Sequence, residues 1–295
     1  MSSEKEDSLP RDFSVTRGTI LATSAADRSG DRQHGLAQWS IRRLVAAGPA
    51  FLSVAAILVA WEIYAGYSGI RPTTLPAPSR VLHQAWINRV DLLDNTVPTL
   101  RATLLGFACS LTTAFVLSIL VDFFAPLRRA LFPVLVISQT LPLVAIAPLV
   151  VLWFGFGLTP KILLVALVTF FPVLVALVQG YGSADKETEG LLRSMGASPW
   201  QVFRLVRLPS AAPFFFAGLR IAITYAVVGA IFAEYAGAEK GLGIYMLGAK
   251  NNFRTDLVLA AVAVSAVLTL ALFGATVLLQ RIAMPWTRVA KEQPR

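Results

Sequence analysis

The stretch Ile162-Leu-Leu-Val-Ala-Leu-Val-Thr-Phe-Phe-Pro-Val-Leu-Val-Ala-Leu-Val-Gln-Gly-Tyr-Gly-Ser-Ala184 contains no charged residue. A helix rises about 1.5 Å per residue, so this run is long enough to cross the roughly 30 Å hydrocarbon layer of a bilayer. Working outward, further charge-free runs occur at Leu44 to Trp61, Ala102 to Val121, Ala130 to Pro160, Ile221 to Ala233 and Leu257 to Gln280. The run beginning at Ile221 is short only because Arg220 interrupts it; counted as Phe214 to Glu234 it becomes a span, with Arg220 near one end and in snorkelling reach of the headgroups. The run from Ala130 holds Pro133, Pro142, Pro148 and Pro160, which predicts one crossing broken near Pro142 and Pro148, with Trp153 to Gly157 returning to the surface. The sum is an all-α integral membrane protein of six transmembrane helices.

Composition supports that class. Of 295 residues, 56% are hydrophobic and 15% charged, against about 25% charged in soluble domains. The net charge of +9 has no clustered basic face, so no nucleic acid is expected as partner; the contact is with membrane lipid. Cys109 is a lone cysteine in an apolar run, and His34 and His83 are the two histidines, so neither a disulfide framework nor a metal site is expected. No cofactor is implied.

Six spans put both termini on one side. That side carries 17 Lys and Arg residues and the opposite side 7, so the positive-inside rule makes the termini cytoplasmic. Residues 1–40 are polar with mixed charge and read as a disordered cytoplasmic tail, 41–288 as the transmembrane domain and 289–295 as a cytoplasmic C-terminal tail. On the outer side, Pro78-Ser79 predicts the start of a short surface helix reaching Trp86.

The loop between the fourth and fifth spans, Asp185 to Pro209, reads as helix, turn, helix. Acids occupy the first turn after Asp185, Gly196 suits a helix C-terminus, and Ser198-Pro199 is an N-cap followed by proline at the first helical position. From Pro199, apolar Val202, Phe203 and Val206 recur at helical spacing, and Leu208-Pro209 is the expected stop. Such a short amphipathic helix needs its apolar face covered, either by a partner protein or by the membrane interface.

This loop resembles the coupling loop of permease subunits of binding-protein-dependent, ATP-driven (ABC) importers. Their pattern is Glu-Ala-Ala, three residues, Gly, nine residues, Ile, one residue, Leu-Pro. With the glycine on Gly196, Val206, Leu208 and Pro209 fall into place; Gly190-Leu191-Leu192 replaces the acidic triplet and Glu189 stands one position early. Trp61-Glu62, Leu75-Pro-Ala-Pro-Ser79, Pro148-Leu-Val-Val-Leu-Trp-Phe-Gly155 and Gly237-Ala-Glu-Lys-Gly-Leu-Gly243 look similar to the nitrate, sulfonate and taurine branch, and Ala233 to Gly243 looks closer to its hydroxymethylpyrimidine and riboflavin members.

The resemblance implies a type I ABC importer permease fold, with a cytoplasmic coupling helix between helices 4 and 5. It implies location in the bacterial inner membrane, an external substrate-binding protein, a separate ABC ATPase subunit and a second permease copy. It assigns ATPase coupling to Glu189, Gly196, Pro199, Val202, Phe203, Val206, Leu208 and Pro209. The sequence lacks a Gly-x-x-x-x-Gly-Lys-Ser/Thr phosphate loop, so the chain is not expected to be an enzyme hydrolysing ATP by that route.

Polar residues at membrane depth are candidates for the solute route. Gln139, Thr140 and Pro142 in the third span, and Thr224 and Tyr225 in the fifth, either line the route or bond between helices. Glu62 and Glu234 read as carboxylates at span ends. Gly237, Gly241 and Gly243 read as a flexible turn, or as a gate or binding-protein contact. A heteroaromatic vitamin precursor is the favoured solute, with nitrate, sulfonate or taurine type anions as the alternative. An ion-coupled secondary transporter would want buried carboxylates near mid-membrane, and a membrane enzyme paired catalytic groups at depth; the spans show neither.

Overall fold

The structure, a computed structural model, describes residues 48–49 and 51–285. The tails 1–40 and 289–295 and the start of the first expected span lie outside the described residues. These residues are all helix and loop, with no strand among them. Helix α1, Phe51–Tyr67, is apolar and belongs to a unit of its own; the second unit begins at Ser68.

In the second unit, α2 (Pro78–Ile87) has the expected proline at its first turn. Then come α3 (Arg89–Phe123), α4 (Ala125–Thr140), α5 (Leu143–Phe154), α6 (Leu158–Gly182), α7 (Lys186–Ser194) and α8 (Pro199–Val202). After a π-helical turn at Phe203–Arg207 follow α9 (Leu208–Tyr235), α10 (Leu242–Asn251) and α11 (Thr255–Ala283). Four helices are long and apolar enough to cross a membrane: α3, α6, the continuous Pro199–Tyr235 rod, and α11. The pair α4 and α5, bent by 101° at Leu141-Pro142, makes a fifth crossing if taken together. The break therefore falls at Pro142, whose ring removes a backbone donor; Pro148 sits inside α5 without breaking it.

The core lies where α3, α6 and α9 meet, and small residues set its closeness. A Cβ on Gly180 would stand 2.6 Å from the Ala211 backbone, and one on Gly218 2.5 Å from the Ala176 methyl and 2.9 Å from the Pro172 carbonyl. These contacts fix α6 and α9 as an antiparallel pair and set their levels. Around them Leu174, Leu177, Leu219 and Ile223 are buried. About 25 cal/mol is gained per Å² of apolar surface removed from water, but in a bilayer the gain comes from packing, which small residues permit.

One expectation fails. Pro209 does not stop the helix: the Leu208 N–H reaches back five residues to the Phe203 carbonyl, and the resulting π-turn absorbs the donor that proline lacks. The expected coupling helix and the fifth span are one rod.

Candidate coupling site and solute route

At the loop end of the bundle, Asp185 caps α7 by accepting from the N–H groups of Glu187 and Thr188. The hydroxyl and N–H of Thr188 hold its carboxyl below the ordinary aspartate range. Gly196, with φ of 84°, turns the chain in the left-handed region, while Ala197 N–H donates to the Leu192 carbonyl. Ser198 and Gln201 then form a capping box at Pro199. Each of these local devices follows from its residue type.

The tertiary contacts are less local. The Arg207 guanidinium donates to both Glu189 oxygens at 2.8 and 2.9 Å and to Asp122 Oδ2 at 2.9 Å, tying α7 and the end of α3 to the π-turn. These bonds from Arg207 hold the Glu189 carboxyl below the usual glutamate range against partial burial. Glu189 thus has a partner inside its own chain.

Phe203 is 2% exposed and its ring centroid lies 5.2 Å from Tyr181, 5.4 Å from Trp200 and 5.5 Å from Phe123. The Tyr181 hydroxyl is 3.0 Å from Ser118 Oγ, which links the ring cluster to α3. Val202 is also buried and Val206 half-buried. In the single chain, the face of Val202 and Phe203 expected to seat on a partner packs against the chain's own spans, with Val206 at its half-buried edge. The apolar side chains left outside are Leu191, Met195, Trp200 and Leu205, with Trp200 54% exposed. Leu208 is half-buried and Pro209 exposed at the start of α9.

Deeper in the bundle, a cavity of about 480 Å³ is lined by Ser138, Gln139, Leu143, Pro172, Ile221 and Tyr225, among others. Gln139 and Tyr225 thus converge there. Thr140 does not line it; its hydroxyl donates to the Ile137 carbonyl at 2.7 Å in the last turn of α4. Pro142 shapes the bend beside it. Thr224 lies in an adjoining groove of about 470 Å³ with Ala217, Arg220, Ile221, Tyr225 and Phe273. Ile221 and Tyr225 are shared by both spaces.

At the opposite end, Glu234 stands at the end of its span, as expected, but is not an exposed interface carboxylate. It is completely buried, accepts from Thr99 Oγ1 at 2.9 and 3.1 Å and from Gly243 N–H at 2.8 Å, and faces Lys161 Nζ at 3.8 Å. Leu242 N–H donates to Thr99 Oγ1 and Gly241 N–H to Asn95 Oδ1, so α3 and Glu234 together satisfy the N-terminus of α10. Gly241 has φ of 144°, and a Cβ there would fall 2.2 Å from the Glu234 carboxylate. The glycine stretch is a close-packed cradle instead of a flexible turn.

The chain belongs to the family described as binding-protein-dependent transport system inner membrane component, whose model matches residues 106–289. It is 36% identical to a formylaminopyrimidine transport permease of Halalkalibacterium halodurans, over 79% of this chain and 93% of that one. It is likewise 36% identical to a riboflavin transport permease of Chloroflexus aurantiacus, over 78% and 87%. The taurine transport permease of Escherichia coli is 31% identical over 84% and 92%. In fold it is similar to a crystallised amino acid ABC transporter with histidines, with a TM-score of 0.55 at 17% identity, covering 67% of this chain and 97% of that one. The chain is the membrane-embedded permease component of an ABC importer with the type I fold.

Proposed function

We propose that this permease carries a heteroaromatic vitamin precursor, delivered by an external binding protein, through a route formed with a second copy of itself. The observation that supports this most is the 36% identity to the formylaminopyrimidine and riboflavin permeases over nearly their full lengths. The cavity agrees: its walls are mostly apolar, with Ser138, Gln139 and Tyr225 as its few hydrogen-bonding groups, which suits a flat ring with polar edges. Taurine or sulfonate transport is the second reading, favoured by the 31% identity to the taurine permease. Vesicles holding the permease, its ATPase and its binding protein should accumulate labelled formylaminopyrimidine or riboflavin on adding ATP. Uptake of taurine alone would overturn the reading.

In this reading the termini and the Asp185–Pro209 loop face the cytoplasm of a bacterial cell, and a separate ATPase seats against the exposed Leu191, Met195, Trp200 and Leu205. Gly196 and Pro199 set the angle between α7 and α8, while Glu189 and Phe203 lock that angle to the spans. Nucleotide-driven ATPase closure then moves a rod that runs unbroken from Pro199 to Tyr235. In a cysteine-free background, a cysteine at Ser79 should react with an impermeant reagent in intact cells, and one at Ser198 only after permeabilisation. Reaction at 198 from outside would reverse the orientation.

A further inference from the structure

The close contacts between α6 and α9 place Arg220 much deeper than its distance from Phe214 suggests. Gly218 packs between Ala176 and the Pro172 carbonyl, which stand six and ten residues from the end of α6 at Gly182, so it lies about 9–15 Å from that end at 1.5 Å per residue. Arg220 is two residues beyond Gly218 along an antiparallel helix, hence about 3 Å further from that end. It therefore stands about 12–18 Å from the Gly182 end of α6, a depth near the middle of a hydrocarbon layer of roughly 30 Å.

At that depth Arg220 has no carboxylate partner among the described residues. Its Nε donates to the Phe216 carbonyl at 3.3 Å, which leaves the outer amino groups for the groove it lines. An arginine at mid-membrane is costly to place, and such residues face cavities and mark pathways. The oxygen functions beside it are Thr224, one turn on, and Tyr225, which is 54% exposed. Thr224 already donates to the Ile221 carbonyl at 2.7 Å, so its oxygen lone pairs are occupied by no donor from that bond.

We infer that Arg220, with Tyr225 and Thr224 beside it, forms a mid-membrane contact for an electron-rich oxygen of the passing solute, a ring carbonyl or an oxyanion. The planar guanidinium offers several N–H donors in one plane and matches either group. Tyr225 and Ile221 wall both the 480 Å³ cavity and this 470 Å³ groove, so a solute leaving the first space meets Arg220 in the second. The inference rests on the reading that this face of α9 lines the solute route.

The test needs no knowledge of the solute. In a Cys109→Ser background, Thr224→Cys is modified with sulfonatoethyl methanethiosulfonate, an anion, and with trimethylammonioethyl methanethiosulfonate, a cation. The anion-to-cation rate ratio should exceed that at Ser138→Cys, in the neighbouring cavity, by about tenfold, and should fall by about as much in Arg220→Gln but not Arg220→Lys. The comparison of positions 224 and 138 keeps Arg220 in place, so it stands even if Arg220→Gln fails to fold. Equal ratios at the two positions would overturn the inference. The two sources separate in transport: Arg220→Gln should raise KM about tenfold for taurine if the oxygen is an oxyanion, and raise it for riboflavin or formylaminopyrimidine if it is a carbonyl. Failure of every uptake assay would remove the solute assignment and leave the thiol-reactivity result intact.

Discussion

Glu234→Ala is expected to yield a permease that inserts but loses its fold in detergent well below the temperature the parent chain withstands. The carboxylate is wholly buried, and four groups depend on it or on its partners: Lys161, Thr99, Gly243 N–H and, through Thr99, Leu242 N–H. Lys161 has one other contact, donating to the Lys240 carbonyl at 3.1 Å, and is itself buried. Removing the acid strands a charge and frees the start of α10. Breaking a buried pair by deleting one partner costs about 3–5 kcal/mol. Glu234→Gln should cost less, because an amide oxygen still accepts from Gly243 N–H while the opposing charge is lost. Gly241→Ala should approach the alanine variant in severity, since its side chain would collide with the carboxylate and its φ of 144° disfavours any side chain. Heat-induced loss of monodisperse protein, followed by size exclusion, measures this. An alanine variant as heat-stable as the parent would show that α10 is held by its apolar packing through Leu242 and Met246 alone.

The Glu234 cradle and the Asp185–Pro209 loop show what sequence makes legible and what it hides. The spans could be read because absence of charge over about 20 residues is a local property. The caps at Asp185 and Ser198 and the turn at Gly196 could be read for the same reason, being decided by residues within three positions. In sequence Glu234 reads as an ordinary span-end carboxylate, because its partners at 99, 161 and 243 meet it only through packing of α3, α6 and α10. Arg207 gave no signal either: Glu189 and Asp122 stand 18 and 85 residues away. Counted from Phe214, Arg220 reads as lying near a membrane surface, whereas the helix is continuous from Pro199 and its contacts with α6 set the depth. Helical spacing singles out Val202, Phe203 and Val206, but the other face of the loop is apolar too. Val202 and Phe203 point inward because the spans offer them a ring cluster, and Trp200 and Leu205 are what remains.

That division makes Trp200 and Phe203 separable, and the largest functional effect is expected at the exposed one. Trp200 stacks on Phe203 with ring planes 20° apart, yet more than half of it is open to solvent. A large aromatic anchored on one edge and free on the other has the properties of residues that dominate protein contacts. Trp200→Ala should leave folding and heat stability close to the parent. If it anchors the ATPase, binding falls by about 2 kcal/mol or more, a loss of at least roughly thirtyfold, and ATP-driven uptake is lost with it. Phe203→Ala should act differently. It empties a packed site among Tyr181, Phe123 and Trp200, at a cost of about 3–5 kcal/mol, so heat stability falls first and ATPase binding weakens as a consequence. Measuring both quantities for both variants separates a docking residue from a positioning one. Should Trp200→Ala bind its ATPase at full strength while Phe203→Ala fails with its stability intact, the loop must rearrange on docking and turn Phe203 outward, and the inward ring cluster would describe only the free permease.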